Sequence, residues 1–292
     1  MAQNAQARVV LRAYPSWFYI PSALVYGLFF LVPTAFAFYF SLTRWSLFDA
    51  VFIGFQNYVD FLTDPQLVTG LRNTIIYAII TSGLKVLIAL PLAVLLTSSI
   101  RLKTLFRGIL FFPVLVSTVA IGITFAALMQ PSTGLINVAL GAIGLLRPNW
   151  LGDPTLALYS VALVDVWKGI GIAMVIFIAG ILAIPTECFE AARLEGGAWV
   201  KFRHVIIPLS RNASFTVILL SFIGGLRSFD LIWTMTHGGP GFASDVLTSV
   251  IFKEYQAGFY GLSTAGNVVL FMLVTIIVYP LMRFFHSKEL EA

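Results

Sequence analysis

The sequence has few charged residues and only one cysteine. Asp, Glu, Lys and Arg make up 11% of its 292 residues, whereas soluble domains carry about 25%, so a soluble protein is excluded. The single cysteine, Cys188, excludes an intrachain disulfide framework and a multi-cysteine metal site. His204, His237 and His286 fall on both sides of the predicted topology, so we expect no metal site from them either.

The sequence also lacks the phosphate-binding pattern G-x-x-x-x-G-K-S/T. The fragment Gly169-Ile170-Gly171 is short and lies inside an apolar run, which is typical of close helix packing. We therefore do not expect this chain to hydrolyse ATP, and no catalytic residue is predicted.

Long apolar runs take the place of these features, since 59% of the residues are hydrophobic and mean hydropathy is +0.93. A membrane-spanning helix needs about 20 apolar residues. This length predicts an all-α membrane protein with six transmembrane helices. The predicted spans are Trp17–Ser41, Thr74–Ser98, Leu105–Met129, Leu156–Leu182, Ala213–Met235 and Leu262–Phe285.

Lysine and arginine in the connections predict the orientation, because cationic flanks tend to stay in the cytoplasm. With the N-terminus inside, eleven basic residues are cytoplasmic and four are outside. The basic residues lie at the ends of apolar runs and form no single patch, so the charge of +5 does not indicate nucleic-acid binding. We predict a multi-pass protein with a cytoplasmic tail at 1–16, a transmembrane domain at 17–285 and a second cytoplasmic tail at 286–292.

The outer connections are rich in aromatic residues and turn formers. Trp45, Phe52, Phe55, Tyr58 and Phe61 favour an aromatic belt at the membrane interface, and the alternative is that they fold against a partner. In either case we do not expect these connections to be disordered.

The connection between the fourth and fifth spans, at 185–209, is the most informative stretch. Its residues predict a helix over 187–195 with Thr186 as N-cap, and then a turn at Gly196 and Gly197 that needs positive φ. A second helix is predicted from Ala198, with Pro208 at its end. The alternative is an amphipathic loop helix lying in the lipid interface.

The letters EAARLEGG followed by FRHVIIP resemble the EAA motif of permease subunits in ATP-binding-cassette (ABC) importers. Glu195 stands where that family usually has Asp, and the stretch from Gly to Pro is one residue shorter. The predicted coupling residues are Glu190, Ala191, Ala192, Glu195, Gly196, Gly197 and Pro208. The segments QPSTGLIN, DVWKGIGIAMVIFIAG and THGGPG extend the resemblance to carbohydrate permeases of the maltose and glycerol-phosphate type, in particular the first of the two paired permeases.

This resemblance implies a type I ABC importer permease fold and a location in the bacterial inner membrane. It implies four kinds of partner: a second permease, ATP-binding subunits, an extracytoplasmic solute-binding protein and a carbohydrate. ATP and Mg²⁺ are then expected on the ATPase, with no cofactor in this chain. The EAA helix is expected to dock on the ATPase.

Ionisable residues inside spans usually face a cavity or a partner. Asp165 and Lys168 lie three residues apart, as do Arg227 and Asp230, so each pair is predicted to neutralise itself on one helix face. Lys85 has no partner within its own span, so it either reaches another helix or snorkels to the interface, and the sequence indicates no role for it.

Sugars bind where aromatic faces lie beside hydrogen-bonding groups. The predicted lining of the solute pathway is Asp165, Trp167, Lys168, Phe229, Asp230 and Trp233. The alternative is that these residues pack against the second permease.

Two other classes of protein fit the sequence less well. A secondary transporter or channel for a small polar solute is expected to show duplicated halves with interrupted spans, and no internal repeat is visible. A membrane-embedded enzyme needs a nucleophile, an acid–base set or metal ligands on adjacent spans, which the charged pairs do not supply.

Overall fold

The computed structural model of the chain describes residues 16–46 and 48–289. The predicted tails therefore lie largely outside the described residues, which begin at Ser16 and end at Glu289. Helices dominate, and the described elements in chain order are α1 (Trp17–Ser41), β1 (Thr43–Trp45), β2 (Ala50–Phe52), α2 (Gln56–Thr63), α3 (Pro65–Thr97), α4 (Lys103–Leu115), α5 (Thr118–Leu128), α6 (Leu135–Ala142), α7 (Ala157–Leu182), α8 (Thr186–Glu195), α9 (Ala198–Leu209), α10 (Arg211–Leu226), α11 (Asp230–Thr236), α12 (Leu247–Gln256) and α13 (Tyr260–Glu289).

Four helices are long and apolar enough to cross a membrane without a break: α1, α3, α7 and α13. They confirm the first, second, fourth and sixth predicted spans. Helix α3 starts nine residues before the predicted Thr74, because Asp64 caps it and Pro65 occupies its first turn. The Asp64 carboxylate accepts hydrogen bonds from the backbone N–H groups of Gln66 and Leu67.

The third and fifth predicted spans are not single helices. Helices α4 and α5 meet at a bend of 97°, just after Pro113, whose ring removes a backbone donor from the helix. The span predicted over Ala213–Met235 breaks at 227–229 into α10 and α11, after the weak helix formers Gly224 and Gly225.

The core joins three apolar clusters along the bundle. At the end that carries α8 and α9, called here the coupling end, α3, α7 and α10 pack around Met174 and Phe177. At the opposite end, called the hairpin end, Phe61 packs with residues of α12. A middle cluster around Tyr77 and Ile232 joins α3, α7 and α11. By contrast, the most apolar window of α1 contains no buried residue, so its faces are open to lipid or to another chain.

The described residues of the connections at the hairpin end are folded, as predicted. Strands β1 and β2 pair antiparallel, with Thr43 opposite Phe52. Asn137 is fully buried and accepts a hydrogen bond from Trp150 Nε1 at 2.8 Å. The prediction of an aromatic belt is wrong for Phe61, which is completely buried.

Candidate translocation pathway and coupling surface

An ion pair joins two of the long helices near the middle of the bundle. Lys85 Nζ on α3 lies 3.1 Å from Asp165 Oδ2 on α7, and their side chains are only 9% and 19% exposed. Gly169 makes room for this pair, since a Cβ there would lie 2.6 Å from Lys85 Cε. A cavity of about 180 Å³ opens beside the pair, toward α10.

The predicted partner of Asp165, Lys168, was therefore wrong. An ion pair between residues three apart on one helix stabilises that helix by only a few tenths of a kcal/mol. A lysine buried between helices is much more costly without a counter-charge, so it takes the carboxylate. Lys85 is that lysine. The lone basic residue in an apolar run was the sequence signal for a partner on another span.

The predicted pathway residues of α7 do not all face the same side. The Trp167 ring is 45% exposed and lies 5.1 Å from the Phe125 ring on α5. Lys168 is half-buried. Only Asp165 of these three lines the cavity beside Lys85.

The break between α10 and α11 separates the two residues of the second predicted ion pair. Arg227 is the C-cap of α10, and Asp230 opens α11. Both are exposed, and among the described side chains they form no ion pair with each other. The prediction that they neutralise each other is wrong, because each charge instead sits at the helix end where the dipole favours its sign.

Phe229 and Trp233 do come together, as their spacing predicts. Their rings stack at 5.6 Å between centroids. Phe252 from α12 joins them edge-on, at 5.2 Å from Phe229 and 4.9 Å from Trp233. Phe252 was not predicted, because nothing in its local sequence places α12 against α11.

Helices α8 and α9 form the predicted pair at the coupling end. Glu190 and Ala191 are exposed, whereas Ala192 is buried. Phe189 of α8 and Phe202 of α9 pack against the core cluster of α3, α7 and α10. Leu194 is 91% exposed, so α8 presents an apolar side chain on its outer face.

The turn between α8 and α9 differs from the prediction. Gly196 has φ of 173° and Gly197 has φ of −83°, so neither occupies the left-handed region. Gly196 is needed instead for close approach, since a Cβ there would lie 2.6 Å from Val200 Cγ2. Helix α8 begins at Thr186, so Thr186 is not the N-cap, and Pro208 lies one residue before the end of α9. Glu195 is the last residue of α8.

A second ion pair, which the sequence did not reveal, fixes the segment between α11 and α12. Asp245 is fully buried and accepts hydrogen bonds from Lys253 Nζ at 2.6 Å and from Ser249 Oγ at 2.8 Å. Burial raises the pKa of Asp245, and the bonds from Lys253 and Ser249 act in the opposite direction.

Helix α3 holds the same segment from the other side. Asn73 Nδ2 donates to the carbonyls of Ala243 and Asp245, and Thr74 Oγ1 accepts from Leu247 N at 2.7 Å. The segment is therefore tied both to itself and to a spanning helix.

No group of His, Cys, Asp and Glu suited to hold a metal occurs among the residues that the structure describes. The fragment at Gly169 and Gly171 serves close packing, as predicted. A Cβ at Gly171 would lie 2.7 Å from the Leu110 carbonyl oxygen on α4.

Residues 85–289 match the family described as the inner membrane component of binding-protein-dependent transport systems. The match covers more than half of the chain, and the chain belongs to this family.

Full-length relatives agree with the family assignment. The probable ABC transporter permease protein YurN of Bacillus subtilis is 34% identical over 285 residues, which is 95% of this chain and 97% of that protein. The trehalose/maltose transport system permease protein MalF of Thermococcus litoralis is 29% identical and covers 91% of this chain, with 92% of its own length matched.

A solved structure gives the fold. A chain of a bacterial ABC transporter involved in the import of the acidic polysaccharide alginate aligns with a TM-score of 0.79 at 20% identity, over 98% of both chains. The predicted permease fold of a type I ABC importer is confirmed, and the cytoplasmic position of the termini stays a prediction.

Proposed function

We propose that this chain is one of two permease subunits of an ABC importer for carbohydrates in the inner membrane of a bacterium. The coupling end and both termini face the cytoplasm, and the hairpin end faces outward. Eleven basic residues against four on the outer side support this orientation. The chain has no catalytic role of its own, and ATP and Mg²⁺ belong to partner ATPase subunits.

The solute class rests on the relatives. Their names specify trehalose and maltose, arabinooligosaccharides and sn-glycerol 3-phosphate. These solutes are all polyhydroxylated, and the pathway residues supply aromatic rings beside charged and polar groups. A solute-binding protein delivers the carbohydrate at the hairpin end.

One observation carries the coupling role: α8 has a free outer face. Leu194 on this short helix is 91% exposed, beside exposed Glu190 and Ala191. Large apolar side chains are exposed on both helices of the pair, Leu194 on α8 and Trp199 on α9, which is 67% exposed, and this supports a surface that a partner covers. We assign that partner as the ATPase, and Glu190 offers it a charged hydrogen-bond acceptor.

The packing explains how movement of the ATPase reaches the spans. Phe189 and Phe202 connect the helix pair to the cluster that joins α3, α7 and α10. Closely packed interiors transmit displacements rather than absorb them. A shift of α8 on ATP binding is therefore passed to the helices that carry Lys85 and Asp165, which opens or closes the pathway.

The proposed lining of the pathway keeps Asp165, Phe229, Asp230 and Trp233 as solute contacts. Trp167 and Lys168 lie on other faces of α7. We propose that they reach the pathway where this chain contacts the second permease. This division is compatible with a translocation route formed between two subunits.

The test of the coupling role uses Gly196→Pro and Glu190→Lys. Proline removes the Gly196 N–H that donates to the Ala192 carbonyl at 3.1 Å, and lysine inverts the charge on the proposed docking face. We expect both variants to assemble in the membrane and to lose at least tenfold of ATP-driven uptake, measured in proteoliposomes with the ATPase and binding protein.

Asp49→Lys is the matched control, because it reverses an exposed acidic charge near β2 at the opposite end of the molecule. It should leave assembly with the ATPase and basal ATP hydrolysis at wild-type levels. Wild-type uptake by Gly196→Pro would contradict the coupling role, and a wild-type chain that purifies with no ATPase would contradict the whole assignment.

A further inference from the structure

A second cavity, of about 290 Å³, lies at the hairpin side of the break between α10 and α11. Of the predicted pathway residues, Phe229 alone lines this cavity. Helices α12 and α13 supply the rest of its wall. The other lining residues include Thr248, Phe252, Tyr255, Ser263 and Asn267. This volume is close to the lower end of about 300–1,000 Å³ for small-molecule sites.

The wall of the cavity combines two kinds of surface. Phe229, Phe252 and Tyr255 present aromatic rings, and Phe229 and Phe252 are held by edge-on contact at 5.2 Å. Thr248, Ser263 and Asn267 present hydroxyl and amide groups. Aromatic faces beside hydrogen-bonding groups suit a sugar ring, whose apolar faces alternate with hydroxyls.

The hydrogen bonds within the protein leave these polar groups able to bind a ligand. Ser263 Oγ donates to the Ile251 carbonyl at 2.9 Å, and Thr248 Oγ1 donates to the Ser228 carbonyl. A hydroxyl that donates one bond keeps its lone pairs as acceptors. Thr248 can therefore accept from a sugar hydroxyl without losing its present bond, whereas Ser263 is only 4% exposed and mainly shapes the wall.

Asn267 is the most informative residue. It is exposed on α13, within the window of that helix apolar enough to cross a membrane. An amide facing hydrocarbon costs several kcal/mol. Asn267 Nδ2 donates to the Ser263 carbonyl at 3.2 Å, and because the side chain lines the cavity its amide oxygen can accept from a ligand there.

The cavity wall is rigid because α12 is anchored. Lys253 and Ser249 both bond to buried Asp245, and the start of α12 bonds to Thr74 on α3. A preformed wall lowers the entropic cost of binding.

A series of polar contacts leads from this cavity to Tyr77, on the helix that also carries Lys85. Thr248 bonds to the backbone of Ser228, and Ser228 Oγ donates to the Tyr77 hydroxyl at 3.4 Å. The cavity beside Asp165 is lined by residues on the coupling side of the break, so the two cavities follow one another along the bundle.

We propose that the cavity between α11, α12 and α13 is a carbohydrate subsite that receives one sugar ring on the outer side of the pathway, before the solute reaches Asp165. This inference rests on the proposed import of carbohydrates. It adds Phe252, Thr248 and Asn267 as residues that determine specificity.

The experiment uses the complete complex in proteoliposomes, with maltose, trehalose, an arabinooligosaccharide and glycerol 3-phosphate as probes. For the probes that the wild type transports, Phe252→Ala and Asn267→Leu should raise KM for uptake about fivefold, the loss expected for one ring or amide contact. ATP hydrolysis stimulated by the unloaded binding protein should stay unchanged. Phe271→Ala is the control, since Phe271 lies on α13 but contacts Phe38 of α1.

A labelling measurement tests occupancy directly. In a Cys188→Ser background, Asn267→Cys should react with a maleimide, and a transported probe should slow that reaction, whereas labelling of Phe271→Cys should be unaffected by any probe. Unchanged KM in both cavity variants, or labelling that no transported probe slows, would overturn the subsite and leave the importer assignment standing. A wild type that transports none of the four probes would instead count against the proposed function and, with it, against this inference.

Discussion

The two ion pairs in the described part of the chain, Asp245–Lys253 and Lys85–Asp165, have different surroundings. The first joins residues eight apart, and its carboxylate is fully buried with bonds from Lys253 and Ser249. The second joins residues eighty apart on two spanning helices and borders a cavity. The fully buried Asp245 carboxylate is bonded within its own segment and serves the fold, whereas we propose that the Asp165 carboxylate, which is 19% exposed and borders a cavity, contacts the solute.

The largest expected effect comes from Asp245→Ala. The change removes the fully buried acceptor of the Lys253 ammonium, whereas Ser249 Oγ keeps its bond to the Val246 carbonyl at 2.8 Å. Removing one partner of such a pair costs about 3–5 kcal/mol. Thermal unfolding of the purified chain in nanodiscs should show a large fall in Tm.

The control for that measurement is Asp49→Ala, which removes an exposed carboxylate and should shift Tm very little. Equal Tm values for the two variants would mean that the Asp245 network does not anchor α12.

A smaller effect on stability, and a larger one on transport, is expected from Lys85→Met. The Asp165 carboxylate loses its counter-charge but borders a cavity that admits water, so we expect a loss on the order of 1–3 kcal/mol. The double variant Lys85→Met/Asp165→Leu should recover most of this stability, because removing both charges leaves neither unpaired. It should still fail to restore uptake.

Lys168→Met is the matched control for Lys85→Met, since it removes a half-buried lysine of the neighbouring helix that forms no ion pair among the described residues. It should change stability by less than about 0.5 kcal/mol. Full uptake by the double variant would show that the Lys85–Asp165 pair is structural, like the pair at Asp245.

The smallest expected effect is a dependence of stability on pH. Burial raises the pKa of Asp245 above its value in the unfolded chain, so the folded state binds the proton more tightly. The resulting stabilisation is complete below the unfolded pKa and is lost as pH rises through the folded pKa. Asp245→Asn should flatten that part of the profile of Tm against pH, and an unchanged slope would exclude Asp245 as its source.

Residues close together in the sequence were predicted more reliably than residues brought together by folding. The stacking of Phe229 on Trp233 and the helix pair at 186–209 follow from helical spacing and from glycine and proline positions. Helical spacing also predicted two ion pairs that do not form. Spacing in the sequence predicts which side chains share a helix face. Which charges pair depends on the free energy of burying them against other helices.

The sequence by itself determined the membrane class, most of the spans and the helix pair at 186–209, because these depend on apolar length and on local turn chemistry. Tertiary structure alone decided the partner of Lys85, the bend in the third predicted span, the break in the fifth and the cavity of α12 and α13. Those features depend on contacts between segments up to 173 residues apart, such as Leu247 N with Thr74 Oγ1. No local sequence pattern predicts such a contact, because the hydrogen bond forms only after folding has brought the two segments together.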